Sequence, residues 1–309
     1  MKSKSIVAVL FASIAAVAAL SAPAAARADE LFVTNTSNFL SGINTIGEYT
    51  TAGATVNASL ITLPGDYTPF SVAASGNDLF VGSEFLGHGP IGEYTTAGAT
   101  VNAGLVGGLN DPYGVAVSGG DLFVTNGDTI GEYTTSGGIV NVELVYLPSG
   151  VPSGIAVSGG DLFVTQPNNT IGEYDATTGA TVNASFVSDL GGPWGIAVSG
   201  NDLFVANYNN GTIGEYTTSG ATVNASLVTG LSGPQGIAVS GGDLFVTNGN
   251  NGKIGEYTTS GATVNASLIT GLGSPAGIAV VPTPEPSTWV MCVTGAAGML
   301  ACGFRKRRS

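Results

Sequence analysis

Residues 233–272 read GPQGIAVSGGDLFVTNGNNGKIGEYTTSGATVNASLITGL, and most of the chain is this segment copied with edits. LFV recurs from Leu31, Leu79, Leu122, Leu162, Leu203 and Leu244, and IGEY from Ile46, Ile91, Ile130, Ile171, Ile213 and Ile254. The apolar runs in each copy are short, rich in β-branched residues and fenced by Gly, Asn and Pro, which is the chemistry of strands. In the quoted copy they predict strand A at 236–239, B at 244–248, C at 253–258 and D at 263–269. The 48 glycines among 309 residues, about twice the usual share, argue against helix. Ser-Gly-Gly-Asp or Ser-Gly-Asn-Asp joins A to B and supplies the positive φ angles of a tight hairpin. A repeat of roughly 40 to 45 residues with four short strands is the mark of a β-propeller blade.

The ends of the array set its closure. The first copy starts at strand B, near Glu30, and the last stops at strand A, residues 277–281. A ring explains this phase, because the final strand A can pair with the first strand B and remove the exposed sheet edges. The expected fold is all-β: a six-bladed propeller of four-stranded blades, one blade closed by N-terminal strands B–D and C-terminal strand A.

The order P-x-G-I-A-V, G-D-L-F-V, N-N-G-x-I, aromatic, Gly resembles the NHL repeat and is similar to streptogramin-lyase-type propellers over about residues 30–281. That resemblance implies the fold and leaves the activity open, since propellers host unrelated functions. Family members often carry an acidic residue just after the second strand. Here those positions hold Asn35, Ser83, Asn126, Gln166, Asn207 and Asn248.

Three segments follow from the chain order. Residues 1–28 read as a secretory signal, with Lys2 and Lys4, an apolar stretch from Ile6, and Ala26-Arg27-Ala28 placing cleavage between Ala28 and Asp29. Residues 29–281 are the propeller. Residues 282–309 resemble a PEP-CTERM sorting tail: Pro284, Glu285 and Pro286 match its tripeptide, an apolar transmembrane segment runs to Phe304, and Arg305, Lys306, Arg307 and Arg308 form the basic end. The resemblance implies processing by an exosortase after a signal peptidase. It also implies transient membrane anchoring and a final place on the cell surface or in the biofilm matrix of a Gram-negative bacterium. A permanent anchor is the competing reading of the same order.

Charge excludes one partner class. Lys253 is the sole Lys or Arg between residues 29 and 281, in a chain with 21 Asp and Glu. Nucleic acid needs Lys and Arg for its phosphates, so it is not expected. Both cysteines, Cys292 and Cys302, lie in the tail, leaving the propeller without a disulfide or a thiolate metal site. No cofactor is expected; oxygen-rich loops leave a structural calcium ion open, although no D-x-[DN]-x-[DN]-G loop occurs.

Candidate site residues come from comparing the copies with one another. The A–B and C–D turns scarcely vary, whereas the B–C and D–A connections, which share one face of a propeller, vary in length and residue type. The residue just ahead of strand A changes from Phe70 to Tyr113, Ser153, Trp194, Gln235 and Ala276. Variable loops on a rigid ring are where binding residues sit. The candidate ligand-binding set is Phe70, His88, Tyr113, Asn126, Gln166, Trp194, Asn207, Tyr208 and Asn248. Its rings are expected to stack on a neutral polar ligand such as a sugar, and its amides to meet hydroxyl groups. No catalytic or metal-ligating set emerges. His88 reads as a solvated loop residue, with Asp66 or Glu84 the conceivable acids for a base pair, and no G-x-S-x-G, H-E-x-x-H or phosphate loop occurs. The repeated Asp before LFV reads as a turn cap, and N-x-[ST] triplets such as Asn224 to Ser226 as by-products of the repeat.

Three functions compete. A non-catalytic binding or interaction module, with exopolysaccharide or a surface protein as partner, is favoured. A lyase or lactonase-like enzyme and a purely structural matrix protein are the alternatives.

Overall fold

Every LFV triplet lies on the second strand of a blade, with Leu and Val on one face and Phe on the other, the alternation of a pleated strand. A computed structural model describes residues 29–36, 44–64 and 66–283, of which 29–282 form one compact unit. The first blade comprises β1 (Glu30–Thr36), β2 (Asn44–Thr50) and β3 (Thr55–Thr62). The second is β4 (Thr68–Ser75), β5 (Asp78–Glu84), β6 (His88–Thr95) and β7 (Thr100–Asn110). The third is β8 (Val115–Ser118), β9 (Asp121–Asn126), β10 (Thr129–Thr134) and β11 (Ile139–Tyr146), and the fourth β12 (Ile155–Ser158), β13 (Asp161–Gln166), β14 (Thr170–Asp175) and β15 (Thr181–Val187). The fifth is β16 (Pro193–Ser199), β17 (Asp202–Asn207), β18 (Thr212–Thr217) and β19 (Thr222–Val228). The sixth is β20 (Pro234–Ser240), β21 (Asp243–Asn248), β22 (Lys253–Thr258) and β23 (Thr263–Ile269), and the last strand is β24 (Ser274–Val281). Each blade is a four-stranded antiparallel sheet, and the six stand in a propeller ring.

Closure is as the repeat phase predicts. The first sheet has the order β24-β1-β2-β3. Leu31 faces Val280, Phe32 faces Ala279 and Val33 faces Ile278 across its antiparallel ladder. Side chains reinforce the seam: Gly277 N–H donates to Thr34 Oγ1 at 2.7 Å and Gly273 N–H to Asn35 Oδ1 at 2.9 Å. Asp29, the first described residue, accepts from Thr51 N–H and from the Ser240 hydroxyl on the sixth blade.

The core lies between blades. In each cluster, Phe and Ile from one sheet meet Leu, Val and Tyr from the next: Phe163 and Ile171 pack on Leu203, Val205 and Tyr216, and Phe245 and Ile254 on Leu31, Val33 and Tyr49. The aromatic of IGEY also explains its glycine. Tyr49 folds back over its own strand so closely that a Cβ on Gly47 would lie 2.7 Å from the ring.

The outermost strands carry a repeated device. Asn57 Oδ1 accepts from Ser59 N–H at 3.1 Å, with equivalents at Asn102, Asn141, Asn183, Asn224 and Asn265. The adjoining ladder shifts register beside each of them, for example between Ile46 and Glu48 on β2. A bulge on an exposed edge strand discourages pairing with another sheet. The N-x-[ST] triplets are thus structural, with a task that the repeat alone does not disclose. Residues 1–28, Pro284, Glu285, Pro286 and Arg305 to Arg308 lie outside the described residues. Among the described residues no helix is long and apolar enough to cross a membrane.

Candidate functional site

Six inner strands line a central channel, and one residue at or just before the start of each rings its mouth: Ala276, Phe70, Tyr113, Ser153, Trp194 and Gln235. The hollow they enclose measures about 80 Å³. Glycine follows five of these residues, Phe70 being followed by Ser71, and close approach of the inner strands explains it. A Cβ on Gly236 would sit 2.3 Å from the Ala276 carbonyl, and one on Gly195 would sit 2.2 Å from that of Gln235. A threonine on the second strand then clamps neighbouring blades. Thr165 Oγ1 accepts from Gly154 N–H at 2.7 Å and donates to the Trp194 carbonyl at 2.7 Å. Thr247 does the same between Gly236 N–H and the Ala276 carbonyl. The backbone that carries Trp194 is therefore held from the blade before it.

Four of the candidate aromatics form a continuous arc at this mouth. Phe70 and Tyr113 meet edge to face with ring centroids 4.9 Å apart. Tyr113 and Trp194 lie 6.4 Å apart across the small Ser153, and Trp194 and Tyr208 lie 5.9 Å apart. The Tyr208 hydroxyl donates to Asn250 Oδ1 at 3.0 Å, fixing that ring. All four rings are half-buried. Aromatic pairs at these separations are worth ~0.5–1.5 kcal/mol beyond their burial, enough to hold the arc in place.

The amides do something else. Asn207 and Asn248 are 2% and 3% exposed. Their Oδ1 atoms accept from Gly191 N–H at 3.2 Å and Ser232 N–H at 3.1 Å. Asn126 accepts from Asn110 N–H at 2.7 Å, and Asn35 from Gly273 N–H, in the same manner. These residues tie the strand end to the incoming D–A connection of their own blade. Gln166 is also turned inward, donating from Nε2 to the Tyr174 hydroxyl at 2.9 Å. Each of these amides therefore already has a partner within the protein, as a buried strand-end amide requires.

His88 stands apart from the arc. It lines a separate, largely apolar hollow of about 680 Å³ beside the second blade, with Leu63, Tyr67, Phe85 and Leu86. Its Nδ1 is 2.7 Å from Asn110 Oδ1, an amide rather than either expected acid. Glu84 instead accepts from Gly87 N–H at 2.8 Å.

Carboxylates gather around Tyr113, which the sequence comparison did not anticipate. Its hydroxyl donates to Asp111 Oδ1 at 3.3 Å. Burial pushes the phenol pKa up to about 12, and the nearby Asp111 and Glu84 carboxylates add to the rise. Asp111 holds a left-handed backbone, φ 44°, a conformation that Asp and Asn tolerate better than most residues. It is anchored by donating its N–H to the Gly87 carbonyl at 2.9 Å. Hairpin and blade linker thus bring together residues distant in sequence. Among the described residues no group of three or more His, Cys, Asp or Glu could hold a metal ion. The side chains present do not fit a cation that needs three such ligands. They offer aromatic faces, two carboxylates and hydroxyls.

A family model described as the Virginiamycin B lyase family matches residues 24–300. No curated protein matches. Among solved structures, one described as a streptogramin B lyase is similar at 23% identity with a TM-score of 0.58, covering 81% of this chain and 91% of that one. A catalytically inactive histidine-to-alanine variant of virginiamycin B lyase from Staphylococcus aureus, with quinupristin, is similar at 23% identity and a TM-score of 0.57, covering 81% and 88%. A chain of a nidogen/laminin complex is similar at 16% identity and a TM-score of 0.64, covering 82% and 98%. At these identities the likeness is one of fold.

Proposed function

The chain belongs to the Virginiamycin B lyase family, and from that premise we propose that it is an exported propeller that binds a ring-shaped polar ligand of the sugar class without catalysis. The observation that carries this reading is the arc of Phe70, Tyr113, Trp194 and Tyr208 at the channel mouth. Half-buried rings held by their neighbours present flat apolar faces at little entropic cost, which suits the apolar face of a pyranose. The Ser153 gap and Gln235 add polar groups to the same rim. Export follows from the leader that ends at Ala28 and the tail bearing Pro284, Glu285 and Pro286. Signal peptidase and an exosortase are the processing partners, and an exopolysaccharide or glycosylated surface protein of a Gram-negative cell is the ligand source.

The test is binding of the full chain to a glycan array, beside a Trp194→Ala variant. We expect signal from the wild type and its loss in the variant. Absence of wild-type binding to any matrix glycan overturns the reading.

The second reading is a lyase, and family membership favours it. Elimination needs a base to take a proton and an acid to protonate the leaving group, both within reach of one substrate. His88 is the chain's one histidine, and it lines a hollow that excludes Tyr113 and Trp194. Conversion of quinupristin by the wild type, lost in His88→Ala, would establish the enzyme; no turnover is expected.

A further inference from the structure

We propose that the hollow beside the second blade is a binding site of its own, shaped for a neutral aromatic molecule that bears a hydroxyl group, with Ser83 and His88 as its polar partners. It lies apart from the channel mouth and does not depend on what binds there. Three observations converge. The first is how the hollow arises. Three separate segments of the second blade depart from the repeat, and all three line it. At the end of the second strand the other blades hold Asn35, Asn126, Gln166, Asn207 and Asn248, whereas this one has the shorter Ser83. On the outermost strand Gly104 stands where the others have Ser or Glu, and Gly107 where they have Thr, Ser or Tyr. A Cβ on either glycine would meet no atom within 4 Å, so packing does not demand them. The β5–β6 hairpin is the third departure, and it sets Leu86 on the rim, 80% exposed and with φ 53°. A leucine in left-handed backbone is uncommon, and such outliers gather at ligand sites. The resulting volume of about 680 Å³ falls within the ~300–1,000 Å³ of small-molecule sites.

The second observation is a pair of polar groups without a full set of partners. Ser83 is 4% exposed and lines the hollow, and its hydroxyl makes no hydrogen bond to a described residue. A buried hydroxyl in that state calls for a water or a ligand. His88 lines the same hollow, with its Nδ1 2.7 Å from Asn110 Oδ1. An amide oxygen only accepts, so Nδ1 carries the proton and Nε2 of the neutral ring is left as an acceptor. A ligand hydroxyl matches both groups, accepting from Ser83 and donating to His88.

The third is the character of the walls. Tyr67 and Phe85 meet edge to face with ring centroids 6.2 Å apart, and Tyr94 adds a third ring. Gly104, Gly107 and Gly108 contribute bare backbone. Ring faces and flat backbone suit a planar aromatic better than a flexible aliphatic chain, because rings gain offset and edge-on contacts. No Lys or Arg lines the hollow. Glu84 accepts from Gly87 N–H at 2.8 Å on the same hairpin, and Asp111 donates its own N–H to the Gly87 carbonyl, so an anion approaching His88 would be repelled. Neither carboxylate lines the hollow, so a cation gains no partner inside it.

The experiment is equilibrium dialysis of the full chain against 2-naphthol, its methyl ether and 1-decanol. We expect saturable binding of 2-naphthol at one site, roughly tenfold tighter than the ether or the alcohol, the scale of one hydrogen bond to a buried partner. Gly104→Leu should fill the hollow and abolish binding with the melting temperature held. Ser83→Ala should narrow the gap between 2-naphthol and its ether. No saturable binding of 2-naphthol, equal binding of all three, or binding unchanged in Gly104→Leu overturns the site. An unchanged gap in Ser83→Ala overturns the assignment of its polar partners. Should Gly104→Leu fail to fold, Ser83→Ala alone decides: a narrowed gap supports the proposal, and an unchanged one overturns it.

Discussion

At the scale of single residues, small departures from the repeat show what each position does. Thr34, Thr125, Thr165 and Thr247 all accept a glycine N–H of the inner strand. The fifth blade has Ala206 there, fully buried. Ala206→Thr should therefore supply Gly195 N–H with an acceptor and the Gln235 carbonyl with a donor. We expect a gain of about 1 kcal/mol, the net worth of such bonds, read as a higher midpoint in denaturant. The second blade has traded partners, with Ser71 on the inner strand and Gly82 on the next. A Cβ on Gly82 would lie 2.4 Å from Ser71 Oγ, so Gly82→Thr should destabilise the blade. Trp194 is half-buried rather than sealed in a core, so Trp194→Ala should fall short of the ~3–5 kcal/mol cost of emptying an aromatic core site. A chemical denaturation curve measures that cost alongside the loss of glycan binding.

At the scale of strands and connections, the sequence was informative wherever it repeats. All six blades, their strands and the mixed closing blade were legible because the period, the alternation within LFV and the phase of the two ends are local properties of the text. The aromatic arc was legible in part. Phe70, Tyr113 and Trp194 occupy equivalent places in their copies, and variation at one place on a rigid ring marks them. Their meeting across Ser153 depends on blade spacing, which no local pattern encodes. The amides are ambiguous in the text, because a polar residue at a strand end looks the same whether it faces solvent or ties down a connection; Asn207 and Asn248 do the second. Glu84 and Asp111 escaped for the converse reason. They lie on different connections, and only the β5–β6 hairpin and the link into the third blade bring them to one phenol. The closing strand provides the test at this scale. Deleting residues 277–281 removes most of β24 and uncovers Leu31, Phe32 and Val33, which are wholly buried. We expect aggregation or loss of a cooperative melt, and an unchanged melting temperature would show that β24 does not hold the ring.

The whole molecule is governed by its surplus of acid. On one face of each of blades two to six, a Glu of IGEY sits diagonally across from the Asp that precedes LFV. Burial raises the pKa of Glu93, Glu132, Glu173, Glu215 and Glu256, and the facing Asp78, Asp121, Asp161, Asp202 and Asp243 raise it further. A carboxyl whose folded pKa exceeds its unfolded value binds more protons in the folded state, so stability falls as pH rises through that window. The window opens at the unfolded glutamate value of 4.5 and extends upward. Asp175 opposes this, since hydrogen bonds from Thr178 lower its pKa, but its contribution is lost only as pH falls from its unfolded value of 3.8 down through the folded one. The thermal midpoint should therefore climb on acidification from roughly pH 7.5 to roughly pH 5, and a flat or falling profile would contradict the Glu–Asp pairing. The central claim concerns the mouth of the ring, and Trp194 reports on it directly. The chain has two tryptophans, so a Trp289→Phe variant leaves Trp194 as the sole indole. Its fluorescence, titrated with a panel of neutral and amino-sugar disaccharides, is the measurement that tests the claim most directly. A saturable change in emission is predicted as the sugar stacks on the arc, and an emission unchanged by any of the disaccharides would contradict it.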